Sequence, residues 1–312
     1  MGRESGGTAS VHAGTSAAPA PSSRSPFRQV VSALLRDRLA LIGLVVVAAF
    51  VLAAALAPVI APQNPYDLSQ LDVLDSRLPP GSRSVSGLLY LMGTDGQGRD
   101  LLCAILYGLR TSLLVGLSSA AVALVIGAAI GLLSAYAGGR VDAVLMRIVD
   151  IQLSFPAILI ALIFLAVLGQ GIDKIILALI VTQWAYYART IRGSALVERK
   201  RAYVDAARSM ALPDRAIVFR HILPNCLPPL IVVATMRVAY AIMLEATLSF
   251  LGIGLPVTEP SLGLLISNGF EYLLSGDYWI SSFPGVALLL LIVAINLIGD
   301  ALRDILNPRR EG

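Results

Sequence analysis

The chain has 312 residues, with 24 Lys and Arg against 20 Asp and Glu, 56 % hydrophobic residues and only 14 % charged ones. A soluble domain is usually about 25 % charged, so this chain is short of the polar atoms that would coat a water-facing surface; its mean hydropathy of +0.78 agrees. A water-soluble enzyme is excluded, and lipid is the solvent for most of the chain.

Residues 1–35 read as a disordered tail, its first 26 residues rich in Gly, Ser, Ala and Pro. It is not a cleavable signal, because the apolar run from Leu39 to Ile60 is longer than a signal's apolar core. That run makes 36–60 the first transmembrane helix. An external segment follows over 61–107, and a core of five more helices fills 108–306. Charge-free windows place these at 111–139, 151–172, 175–191, about 223–251 and 278–299. The fourth is short and shares its end with Arg189. Two loops stand out within the core, 193–221 and 252–283, and 307–312 form a short tail. The fold class is therefore all-α, a polytopic membrane protein with six transmembrane helices.

Basic residues set the orientation. With both termini in the cytoplasm, 18 of the 24 lie in inside segments, five lie outside, and Arg237 falls within a span. Only Lys174 and Lys200 are lysines, and no basic block is interleaved with aromatics, so nucleic acid is not a partner. Neither lysine stands in the Gly-Lys-Ser/Thr setting of a phosphate-binding loop, so the chain binds no ATP through one. His12 and His221 are the only histidines, and Cys103 and Cys226 lie far apart, so no metal is expected.

The inside loop is the most informative segment. Tyr203, Ala206, Ala207 and Met210 recur at three- and four-residue spacing, which sets them on one helical face flanked by Asp205 and Arg208. Leu212-Pro213-Asp214 breaks the helix, and Pro224 marks entry to the fifth span. Such a helix either lies on lipid headgroups or fits a partner's groove. Within the fifth span, Arg237, Glu245, Ser249 and Phe250 are candidate pathway or gate residues. Alternatively, each charge is satisfied by a neighbouring span or a helix end. Gly93 to Asp100 reads as tight turns, with a cation loop as the other reading.

Asp205-Ala206-Ala207, then Ala211, then His221-Ile222-Leu223-Pro224 resembles the coupling loop of ABC importer permeases, Glu-Ala-Ala, three residues, Gly, nine residues, Ile-x-Leu-Pro. Gly93-Thr94-Asp95, Tyr136-Ala137-Gly138-Gly139, Phe155-Pro156, the run from Glu245 to Gly254, Phe283-Pro284-Gly285 and Asn296 to Asp300 extend the likeness over about residues 36–310. It is closest to the second permease of dipeptide and oligopeptide importers. Asp205, Ala211 and Leu262 stand where that family usually has Glu, Gly and Trp.

The resemblance implies a type I ABC importer permease in a bacterial cell membrane, not an enzyme. It implies a homologous second permease, two ATPase subunits that hold ATP and Mg, and an extracytoplasmic binding protein, which loop 252–283 is expected to meet. It assigns ATPase coupling to Tyr203, Asp205, Ala206, Ala207, Arg208, Met210, Ala211, His221 and Pro224. The expected cargo is a di- or oligopeptide, with nickel chelates or haem as alternatives. An ion-coupled secondary transporter is the reading from another class, for which Glu245 alone is a thin basis and an internal repeat is missing.

Overall fold

The computed structural model describes residues 26–65, 67, 71–84, 87–256 and 258–306. Most of the expected tail, 1–25, and all of 307–312 lie outside the described residues. Residues within the remainder of that tail are helical: α1 (Pro26–Leu34) packs against the last helix of the chain.

Asp37 opens α2 (Arg38–Ile60), its carboxylate accepting from the N–H groups of Leu39 and Ala40 at 2.8 and 3.1 Å. Asp100 does the same for α3 (Leu101–Ala137), accepting from Leu102 N–H at 2.9 Å. At 37 residues α3 is about 55 Å long. It starts at Leu101, within the stretch 61–107 expected as the external segment. Arg110, the charge that set the expected boundary, sits on an exposed side of this helix.

α4 (Gly139–Ser154) and α5 (Ala157–Leu168) are bent by 88°. The break is Phe155-Pro156: proline has no N–H to continue the ladder and pushes the preceding residue into extended backbone, here φ −94°, ψ 140°. α6 (Ile172–Glu198), α7 (Ala202–Ser209) and the short α8 (Asp214–Ala216) follow. One turn of π-helix, Ile217–Ile222, joins α8 to α9 (Leu223–Phe250). The chain closes with α10 (Leu262–Phe270) and α11 (Trp279–Ile305).

Among the described residues, α2, α3, the continuous Asp214–Phe250 helix and α11 are long and apolar enough to cross a membrane; the bent pair adds a fifth crossing if it is one span. The remaining expected span, α6, is a 27-residue helix that is not apolar enough by the same measure. The reason is where it packs. α3, α5 and α9 enclose it, so buried Thr182, Gln183 and Tyr187 take positions that a lipid-facing helix would give to aliphatic residues. The outer faces of the other helices stay aliphatic, as at Val45, Leu52 and Val167.

α6 comes close to α3 because α3 carries Gly127-Ala-Ala-Ile-Gly131 on the shared face. A Cβ at Gly127 would lie 2.4 Å from the Trp184 carbonyl oxygen, and one at Gly131 would lie 2.3 Å from that of Ala188. Backbone contact is therefore what only glycine permits here.

The two segments expected outside form one cap. A two-stranded hairpin, β1 (Ser82–Arg83) with β2 (Leu89–Tyr90), folds over the buried Asp75, whose carboxylate accepts from Ser84 at 2.5 Å and Tyr90 at 2.9 Å. Gly93 to Asp100 is a set of tight turns. Asp95 accepts from the N–H groups of Gln97 and Arg99 at 2.8 and 3.0 Å. Burial pushes its carboxyl upward against those two bonds. The expected loop 252–283 is instead largely helical: buried Leu262, Leu264 and Leu265 on α10 pack α10 onto α3, α9 and α11. Arg77 reaches Asp277 at 3.7 Å and lies over the Tyr272 ring at 5.4 Å, tying the two segments together.

Gly131→Leu should force α6 away from α3 and cost about 1–3 kcal/mol by overpacking, read as a lower thermal midpoint of the purified complex. Gly193→Ala, which meets no atom within 4 Å, should leave that midpoint unchanged or higher.

Candidate functional site

α7 follows Arg201, whose backbone is extended, and its eight residues divide between two faces. Val204 and Ala207 turn inward and join Ile217, Ile222, Cys226, Tyr187 and Ile191 in one buried cluster. Asp205, Ala206, Arg208 and Met210 are exposed, and Tyr203 is exposed at one edge. The expected docking face is thus corrected in one respect. Ala207 is 1 % exposed and belongs to the chain's own core, whereas Ala206 and Met210 form the outward surface. Arg208 pairs with Asp205 at 3.7 Å along that surface.

The helix ends at Ser209, shorter than the run to Leu212 that spacing suggested. Ala211 adopts φ +56°, Leu212 N–H donates to the Ala207 carbonyl at 3.2 Å, and Ala211 N–H donates to that of Arg208 at 2.9 Å. This pair of bonds closes a helix end through a left-handed residue, a position that favours glycine. An L-residue with a Cβ fills it at a cost.

Tyr203 fastens α7 to its neighbours. Its hydroxyl donates to Glu198 at the end of α6 at 2.5 Å and accepts from Asn225 at 3.2 Å. Asn225 also donates to the His221 carbonyl at 2.7 Å. Burial, then the Glu198 carboxylate, raises the Tyr203 pKa to about 12, so the hydroxyl keeps its proton and goes on donating. His221 thus contributes its carbonyl at the site. Pro224 has no N–H to offer the Arg220 carbonyl, and Leu223 N–H reaches back five residues to Val218, which is the π turn.

The same end of the molecule is bolted to α3. Tyr136 donates to Asp214, Arg199 donates to the Ala135 carbonyl at 2.8 Å, and Arg192 makes two 2.6 Å bonds to Asp142. A push on α7 therefore meets α6 and α9 directly, and α3 and α4 through α6.

The four candidates on α9 separate into two pairs. Glu245 and Ser249 are fully buried: the carboxylate accepts from Ser112 on α3 at 2.9 Å and from Ser249 at 2.8 Å. They hold helices together and line no open surface. Arg237 and Phe250 lie on the uncovered side. Arg237 stands over the Tyr186 ring at 3.3 Å and the Tyr240 ring at 5.2 Å, and Phe250 meets Phe270 edge-on at 5.8 Å. Tyr186 and Tyr240 were not among the residues singled out in the sequence, although Arg237-x-x-Tyr240 at three-residue spacing was there to be read.

The family described as binding-protein-dependent transport system inner membrane component matches residues 123–312. The chain belongs to this permease family. The N-terminal transmembrane domain of oligopeptide transport permease C also matches, over residues 25–80. The permease is 45 % identical, over 92 % of its length and 93 % of the relative's, to a putative peptide transport system permease protein of Brucella abortus. It is 35 % identical to the di/tripeptide transport system permease protein DppC of Pseudomonas aeruginosa, over 91 % and 93 % of the two chains. A probable D,D-dipeptide transport system permease protein of Escherichia coli is 39 % identical over 79 % and 80 %. In fold the permease resembles a chain of the inward-facing MetNI methionine ABC transporter, with TM-score 0.54 and 24 % identity over 65 % of this chain and 96 % of that one. It is a membrane-spanning subunit of an ABC importer with the type I fold.

Ala211→Gly should relieve the left-handed strain and stabilise the α7 end of the permease by about 1 kcal/mol. Slower hydrogen exchange over residues 202–212 is the readout that checks it.

Proposed function

We propose that this permease carries di- or oligopeptides across a bacterial cell membrane, sharing the pathway with a homologous permease, and that α7 receives the force of ATP hydrolysis from ABC ATPase subunits. The relatives carry the peptide reading: permeases named for peptides, dipeptides or di/tripeptides match this chain at 35–45 % identity over most of its length. The outward face of α7 supports the coupling reading. Ala206 is small enough for a partner to approach the helix backbone, and exposed Met210 adds an adaptable apolar contact beside it. ATP and Mg belong to the ATPases, since this chain has no Gly-Lys-Ser/Thr sequence.

In this reading both termini and α7 face the cytoplasm, and the cap of hairpin and α10 faces outward, where an extracytoplasmic binding protein delivers its load. The second outer segment carries Glu259, Glu271 and Asp277 without Lys or Arg; Glu271 is exposed, and Asp277 is paired with Arg77. The charge asymmetry supports this orientation.

Two measurements test these assignments. Cys103 and Cys226 are buried, so introduced thiols report cleanly. Ser275→Cys should react with an impermeant thiol reagent applied to intact cells, and Lys200→Cys should not; the reverse pattern overturns the orientation. Ala206→Leu should hold the ATPase off α7, costing about 1–3 kcal/mol of contact, so that uptake fails while the permease still inserts at normal levels. Ala207→Leu, by contrast, should lower the permease's own thermal stability. Normal transport by Ala206→Leu would place α7 on lipid instead.

A further inference from the structure

Among the described residues, one stripe of α9 stays partly exposed. Val233, Arg237, Tyr240, Met243, Thr247 and Phe250 recur at three- and four-residue intervals, and each is at least partly exposed. Of the two charged residues on α9, Glu245 is buried elsewhere, so Arg237 is the single charge on the stripe. It lies midway along α9, and Tyr186 lies midway along α6, which puts the guanidinium far from the ends of both helices. No ion pair among the described residues includes Arg237. Its flat face is covered by Tyr186, so its N–H edge is the side left to meet a ligand.

A cation so placed in a membrane span costs roughly 2.5–3.5 kcal/mol unless it faces protein or water. The half-exposed site therefore requires a water-filled or partnered surface, such as two permeases enclose between them. A ring stacked on one face holds the guanidinium in a fixed plane, the geometry that grips a carboxylate with two parallel N–H bonds. A peptide in transit always carries such a group at its C-terminus.

From this geometry we infer that Arg237, held by Tyr186 and Tyr240, is a binding station for the C-terminal carboxylate of the peptide in transit. The inference rests on the peptide reading above. Tyr186 and Tyr240 are positioning residues, and Arg237 makes the contact.

The test uses the complete transporter in proteoliposomes, with its binding protein saturated by either a neutral dipeptide or the same dipeptide amidated at its C-terminus. The readout is the ratio of the two uptake rates, carboxylate over amide. Arg237→Gln should lower that ratio by roughly tenfold, the loss expected for a charge-assisted hydrogen bond. Tyr186→Leu keeps the charge but removes the stacked ring, and should lower the ratio several-fold; it serves also where the Gln variant fails to assemble. A ratio unchanged in both variants overturns the inference. That holds whether neither rate falls or both fall together, as they would if Arg237 paired only with a carboxylate of the second permease. If the wild-type complex moves neither peptide, the peptide reading itself fails, and the two failures are thereby distinct.

Discussion

Hydrocarbon offers an ionisable side chain few places to stand, and α9 contains two that have found different ones. Glu245 is fully buried, with Ser112 of α3 and Ser249 of its own helix donating to its two oxygens. Arg237 lies under an aromatic ring and stays partly exposed among the described residues. The cost of an unpaired charge in lipid is what makes both arrangements informative. A buried, satisfied charge fixes how α3 and α9 sit together. An uncovered one demands a polar surface outside the chain, and so implies a subunit that works as part of an assembly.

The same constraint shapes the rest of the bundle. Backbone polar groups in lipid must be satisfied within helices, and breaks occur where side chains or neighbouring helices take over. Phe155-Pro156 bends α4 from α5 by 88°, and the π turn before Pro224 re-pairs the Leu223 N–H with the Val218 carbonyl. Polar side chains gather at one end of the bundle, where Tyr203 ties α7 to Glu198 of α6 and Asn225 of α9, Tyr136 ties α3 to Asp214 of α8, and Arg192 ties α6 to Asp142 of α4. An interior with few voids transmits displacement rather than absorbing it. A helix fixed in this way moves with the spans to which it is tied, which is the property the proposed coupling role requires.

Much of this was legible in the sequence, and the misses have physical causes. Charge-free windows placed the long apolar helices because lipid tolerates few charges, and the spacing of Tyr203 to Met210 marked α7. Pattern alone did not tell which alanine faces out. Ala206 and Ala207 are adjacent and equally small, so no change in polarity marks the boundary between core and surface; the position of Ile217 and Ile222 decides it. α10 was read as loop because nine residues are too few for a span, yet enough to bury three leucines against neighbouring helices. Ser112 and Tyr186, which meet Glu245 and Arg237, lie on other helices, Ser112 at 133 residues' separation, and contacts of that range leave no periodic trace.

The central claim is that the outward face of α7 sits against an ATPase and not against lipid. The most direct measurement is site-directed crosslinking: Met210→Cys in the permease, paired with single cysteines introduced across the candidate groove of the ATPase subunit, in assembled complexes in native membranes. The account predicts a disulfide-linked permease–ATPase species for at least one pairing, with a yield that changes when ATP is bound. No crosslink at any pairing, together with a fluorophore at position 210 reporting a lipid environment, would contradict it.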